Sequence, residues 1–416
     1  MTDIYREQLP NGLTLLAEPV ASAQSLSMTA LIPAGLSAQR DDQLGSAPML
    51  AEMVCRGAAG LSSREHSDAL DQLGVDRSTS VDTHHLRLSA TMIGAKREKA
   101  LPLLLDMLRR PNLDEDALEP SRALCLQSID ALADEPQQRV MIELRRCHYP
   151  EPFNRSPLGQ RDHLERITLE DVRGFWRTAC VPGDTILAFA GRFDWDALRD
   201  QVRDLLGDWQ GDWTEPATRS DALRGYSPIT ADTSQVHIGL AYDALPEADE
   251  RSFLQRAGAA VLSGGMSGRL FTEVREKRGL CYAVYAAYSA QKDRGVMMGY
   301  AGTTTPRAQE TLDVMRHELA RLSEGVTRSE FDRAIVGMKS RLVMQGESTG
   351  ARAAAIARDQ HILGHPRTLD ELAAKVDAIT LDKLNAFLAE HPPGDMTLVT
   401  IGPHALNLEA QSAAHP

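Results

Sequence analysis

The chain states its architecture twice, and that repetition limits the folds open to it more than any single motif does. Residues from Ile167 read ITLEDVRGFWRTACVPGDTILAFAG, and residues from Ile379 read ITLDKLNAFLAEHPPGDMTLVTIG. Each places a Thr before an amphipathic helix, then Pro-Gly-Asp, then an apolar strand closed by Gly. Thr168 recurs at Thr380 and Asp184 at Asp395, offsets of 212 and 211 residues. The same offset brings SRALCLQS (121–128) onto DRAIVGMK (332–339) and SLSMTAL (25–31) onto VHIGLAY (236–242). A common offset at three places marks two tandem copies of one unit.

Within each copy the order of elements is alike. Short strands such as GLTLLAEP and SLSMTALIPAG come first, then a helix, then alternating strands (HHLRLSATMIG, RGVMMGYAGT), then several helices and a closing strand. Capping boxes at Ser62-x-x-Glu65, Thr168-x-x-Asp171 and Thr327-x-x-Glu330 mark helix starts, and Gly74 closes the helix begun at Ser63. Strands early and helices late predict an α+β fold: two tandem homologous domains, each an antiparallel-rich sheet covered on one face by helices. The stretch GDWQGDWTEPATRSDALRGYSPITAD is rich in Gly, Pro and polar residues. It predicts a linker at 208–230 between domains at 1–207 and 231–416.

Composition excludes several classes. A chain of 416 residues is too long for one core, and 43% hydrophobic with 25% charged residues is an ordinary soluble balance. No apolar run reaches the ~18 residues of a membrane span, and MTDIYREQLPNG lacks the basic and apolar regions of a signal peptide, so a cytoplasmic protein is expected. The five cysteines have no C-x-x-C spacing, which argues for free thiols and against a disulfide framework or structural zinc. A net charge of −13 disfavours nucleic acid as a partner.

Two stretches carry the chemistry. GSAPMLAEM (45–53) sets Met49, Leu50 and Met53 at helical spacing. REKRGLCY sets Arg275 near a helix end and Tyr282 on the following strand, with Arg278 expected to be solvated. By themselves these read as a helix start on a core, a charged helix terminus and a strand aromatic. GGMSGRL lacks the Lys-Ser/Thr ending of a phosphate loop, and Gly264, Gly265 and Gly268 instead suit a loop that turns tightly. His84, His85, His66 and Glu52 could be combined into a metal site only in part, because adjacent strand residues point to opposite faces.

The opening LPNGLTLLAEP, the two halves and GGMSGRLFTEVREKRGLCYAVYA together resemble the pitrilysin/insulinase family over nearly the whole chain. The nearest branch is that of the bacterial relatives of mitochondrial processing peptidase, with the fold shared by LuxS and processing peptidase. The resemblance implies half of a clamshell closed around an unfolded peptide. One unit carries zinc on an H-x-x-E-H helix with a distal Glu, and the other contributes an Arg and a Tyr. Zinc catalysis needs three protein ligands, an open position for water, and a base. On the family pattern Pro48 and Glu52 stand at the His positions, Ala51 at the base and Ser128 at the distal ligand. No cofactor is therefore expected in this chain, and zinc is expected in a homologous partner with intact H-x-x-E-H. Arg275 and Tyr282 match the family's substrate-handling pair, with Gly264, Gly265 and Gly268 as substrate-binding positions. An edge strand near GVDRSTSVDTHH keeps a polar run, Ser78–Ser80, without the family's usual Asn-Ala. The implied function is the non-zinc subunit of a heterodimeric peptidase. The alternative is a non-catalytic homodimeric peptide-binding or assembly subunit.

Overall fold

In a computed structural model of the protein, which describes residues 4–408, each copy of the repeat builds one sheet. The first contains β1 (Tyr5–Gln8), β2 (Thr14–Pro19), β3 (Ser25–Ile32), β4 (Asp76–Val81), β5 (Leu86–Ile93) and β6 (Ile186–Gly191). Their spatial order is β1-β2-β6-β3-β5-β4, antiparallel except where β2 and β6 run together. The second contains β7 (Tyr226–Thr230), β8 (Gln235–Ala244), β9 (Cys281–Ala290), β10 (Gly295–Thr304) and β11 (Thr397–Gly402). Their order is β9-β10-β8-β11-β7, with one parallel pair, β11 and β7. Residues expected to form the linker contribute that parallel strand: β7 occupies the last five positions of the 208–230 stretch.

Six helices frame the two candidate sites: α1 (Ser46–Met53), α2 (Glu115–Ala131), α3 (Pro136–His148), α4 (Ser252–Ser263), α5 (Arg328–Glu347) and α6 (Thr349–Leu363). Two of them cross between the copies of the repeat. The chain divides into one compact unit of residues up to Ala131, Glu151–Ser220 and Gln345–Thr368, and another of Leu132–Pro150, Asp221–Met344 and Leu369 onward. Helix α6, from the second half of the sequence, thus lies on the first sheet, and α3, from the first half, lies on the second.

The exchange corrects the expectation that helices cover one face of each sheet. On one face of the first sheet Leu16, Leu31, Ile186 and Ala188 pack against Ile356 and Ala357 of α6. The opposite face holds Met28, Ala30, Leu187 and Phe189 in the larger core with α1. Burial on both faces is why the run ILAFAG of β6 is apolar without alternation. Each fully buried Leu or Ile contributes about 1.5–3 kcal/mol relative to exposure, so α6 is integral to the first unit. In the second unit the approach of α3 is close enough that a side chain at Gly239 would come 3.3 Å from Val140 Cγ2.

All three capping boxes form. The third is also charge-linked: Glu330 accepts from the Thr327 amide and hydroxyl and from Arg269 Nε and Nη2. Burial pushes the Glu330 carboxyl up, but Arg269 and Thr327 prevail and hold it at about 2. A carboxylate depressed below its ordinary 4.5 stabilises the fold above that pH and loses the contribution as pH falls toward 2. Glu330→Gln is therefore expected to lower stability at neutral pH and to flatten the loss between about pH 4.5 and about pH 2. Urea midpoints across that range check this, and an acid limb as steep as wild type would refute it.

Candidate functional site

The helix α1 begins where the sequence places it. Gly45 is its N-cap, and the buried Gln39 side chain accepts hydrogen bonds from the Gly45 and Ala47 amides at 2.7 and 3.1 Å. Pro48 sits in the first turn, where a missing N–H costs nothing. Around this helix stand α2 and the edge strand β4, the elements a zinc cleft of this design would need. Their chemistry is otherwise. Ala51 offers a methyl group, and its carbonyl accepts from Thr79 Oγ1 of β4 at 3.1 Å. The Ser128 hydroxyl turns back onto Leu124 O of its own helix at 2.9 Å. Glu52 faces Cys125, whose thiol burial pushes up to about 12, the carboxylate adding to the effect. Pro48, Ala51, Glu52 and Ser128 do not fit a zinc ion. Among the described residues no group of three or more His, Cys, Asp or Glu is arranged to hold a metal.

The histidines fall elsewhere. His66 is buried and its Nε2 meets Leu103 O at 3.0 Å. His84 and His85 lie in the turn between β4 and β5, so strand alternation does not separate them. Both rings pack on His361 of α6, with centroids 5.2 and 4.3 Å away. Strand alternation is therefore not what keeps the pair from a shared metal site: neither is in a strand, and among the described residues neither joins His66 and Glu52 in a metal-holding group.

In the second unit the structure brings Arg275 and Tyr282 together. A π-helical turn, Phe271–Glu276, widens the helix end and carries Arg275, whose guanidinium carbon lies 4.9 Å from the Phe271 ring and 5.0 Å from the Tyr282 ring. Tyr282 follows one residue into β9, where Cys281 pairs with Thr303 but Ala283 pairs with Gly302. Tyr282 is the extra residue of a β-bulge, a distortion that re-aims a side chain. It leaves the ring 83% exposed. Cys281 beside it is buried, and its thiol is pushed up to about 11 by burial, partly offset by the Arg275 charge. Arg278 is exposed, as expected, and its guanidinium also donates to the Glu273 carbonyl and carboxylate at 2.7 and 2.8 Å. The sequence motif does not single out Phe271 as a platform, although its spacing of four from Arg275 on a helix is a signal for it.

Gly264, Gly265 and Gly268 form the turn after α4 and line a groove of about 440 Å³ whose other wall is α5. A side chain on Gly268 would come 2.7 Å from Leu262 O, so the tight turn requires glycine there. No helix among the described residues is long and apolar enough to cross a membrane.

Known proteins share these features. Residues 15–158 match the family described as Insulinase (Peptidase family M16), and residues 166–338 match the Peptidase M16 inactive domain. An uncharacterized zinc protease of Streptomyces coelicolor is 27% identical over 412 residues, covering 96% of this chain and 90% of that protein. The uncharacterized zinc protease YmxG of Bacillus subtilis is 25% identical, covering 96% and 98%. A peptidase M16 inactive domain from Pseudomonas fluorescens has the same fold, with a TM-score of 0.87 at 22% identity over 97% of this chain and 98% of that one. A Helicobacter pylori protease superposes with a TM-score of 0.86 at 17% identity, covering 97% and 100%. With the tandem sheets, the altered first-half cleft and the matches across both halves, the chain belongs to the insulinase family of peptidases, M16.

Proposed function

We propose that this chain is the non-zinc subunit of a heterodimeric M16 peptidase, acting in the cytoplasm on unfolded peptides. Its partner would be a homologous subunit with intact H-x-x-E-H, which supplies the zinc that activates water. The observation that carries the reading is the pairing of Arg275 with a Tyr282 that a bulge turns out into solvent. A large aromatic this exposed is not held there by packing. Its hydroxyl is free to donate to the oxygen that gains charge when a peptide carbonyl is attacked. Arg275, kept in place by the Phe271 and Tyr282 rings, can donate a charge-assisted hydrogen bond to the same carbonyl or its neighbour. Gly264, Gly265 and Gly268 let the backbone of a bound peptide come close.

The test joins metal content with activity. The chain purified alone and dialysed against zinc is expected to retain no stoichiometric metal by elemental analysis and to cut no peptide. Combined with its zinc-bearing homologue it is expected to give a peptidase that a chelator abolishes. One tightly held zinc per isolated chain, or chelator-sensitive cleavage by the chain alone, would overturn the proposal.

A further inference from the structure

Three imidazoles meet at one place in the first unit. His84 and His85 come from the turn between β4 and β5, and His361 comes from the last turn of α6. The His361 ring lies 5.2 Å from that of His84 and 4.3 Å from that of His85, and the latter two are 6.0 Å apart. The side chains of His84 and His85 are only 17% and 7% exposed. Solvent therefore screens charges on these rings poorly.

The turn is fixed from its other side by bonds that do not titrate. The Leu36 and Ser37 amides donate to Asp82 O and Thr83 O at 3.0 and 2.9 Å, and a side chain at Gly35 would come 2.2 Å from the His84 carbonyl carbon. Toward α6 the turn presents the His84 and His85 rings, whose kind of side chain changes charge near pH 6.5.

The surroundings suit one proton better than two. Asp82 Oδ1 faces His85 Nδ1 and Glu215 Oε1 faces His84 Nδ1, each at 3.6 Å. Asp82 also accepts from the His84 and His85 amides, and its second oxygen faces Arg87 Nη2 at 3.7 Å, so one carboxylate serves two cations. The ring of Phe153, 5.6 Å from His84, adds an apolar wall. On α6 itself Arg358 precedes His361 by three residues and His365 follows it by four, while Asp359 is taken up by Arg367 at 2.7 Å. The His85 and His361 rings meet edge to face, at 86°. A single charge fits that arrangement, because a cationic edge against a neutral ring face is attractive. A second charge sets two cations 4.3 Å apart.

We infer that His84, His85 and His361 form a proton-sensitive latch: the end of α6 stays docked on the β4–β5 turn while one imidazole is charged, and acid releases it by charging a second. Because the turn is held by backbone bonds, the repulsion falls on the helix. The latch belongs to the first unit alone and does not depend on the catalytic reading.

The measurement is amide hydrogen exchange by mass spectrometry on the full chain at about pH 7.5 and about pH 5, either side of the imidazole range, corrected for the intrinsic pH dependence of exchange. The segment 358–364 is expected to open about tenfold or more in acid, the effect of one unit of difference in proton affinity between docked and released states. Segments of β8 and β10 in the second sheet are the reference and should change little. His361→Phe keeps an aromatic ring against both histidines but takes no proton, so its helix end should stay closed at the lower pH. His361→Gln removes ring and charge together, so its opening, whatever its level, should not depend on pH. No acid opening in the wild type, the same acid opening in either variant, or opening spread equally over both sheets overturns the latch.

Discussion

Replacing Tyr282 with Phe is expected to lower the turnover of the reconstituted heterodimer by about 10- to 1000-fold, the range for losing one oxyanion donor. The KM for peptide should change little, because a hydroxyl that engages only the developing charge contributes to the transition state and not to the ground state. Arg275→Ala should lower turnover and raise KM together, since a cationic donor already engages the carbonyl of the bound substrate. Neither change should unfold the chain. The Tyr282 ring is exposed, and the cation–π contacts of Arg275 with Phe271 and Tyr282 are worth only about 0.5–1 kcal/mol at such a site. Arg278 is a poor control because it anchors Glu273, so the neutral comparison is Glu276→Gln, at an exposed position on the same turn. Wild-type turnover in Tyr282→Phe and Arg275→Ala, alongside Glu276→Gln, would show that the pair takes no part in catalysis.

What is local or repeated was the most legible part of the sequence. Capping boxes are contained in four residues, and Ser62, Thr168 and Thr327 each cap their helices as the spelling implies. The repeat also located the sheets, because a strand such as β6 recurs as β11 after the same Thr-capped helix. The helix exchange was not legible. Nothing in Thr349–Leu363 says whose sheet it covers, because its partners Leu16, Leu31 and Ile186 are more than a hundred and fifty positions away. The clue was the absence of alternation in β6, which signals burial on both faces without naming the second layer. At the candidate site the residue types were legible and their presentation was not. A β-bulge depends on how Cys281 and Ala283 pair with β10, a register fixed between strands and not within one. Likewise His84 and His85 would be separated only if they sat in a strand, and the position of a turn between two strands is set by their pairing.

The largest stability effect is expected from the exchanged helix. Arg352 of α6 and Glu18 of β2 form an ion pair whose side chains are 1% and 6% exposed, with Nε and Nη2 at 2.8 and 2.7 Å from Oε2. The same guanidinium donates to Arg367 O at 3.2 Å. Thr349 adds hydroxyl contacts to Ser25 and Ser27 at the start of the helix. A pair buried this deeply gains little over an apolar substitute, because desolvation offsets most of the attraction, but removing one partner strands the other charge. Arg352→Met is therefore expected to destabilise the first unit by about 3–5 kcal/mol, a large share of the roughly 5–15 kcal/mol typical of a domain. Combining it with Glu18→Gln or Glu18→Leu should recover most of the loss, since no buried charge then remains. All four tryptophans, Trp176, Trp195, Trp209 and Trp213, lie in the first unit, so their fluorescence reports its unfolding without interference from the second. The urea midpoint by tryptophan emission should fall sharply in Arg352→Met and return in the double variant. An unchanged midpoint in the single variant would mean that the Ile356 and Ala357 packing and the Thr349 hydrogen bonds suffice to hold α6 and that the ion pair is not what fixes it on the sheet.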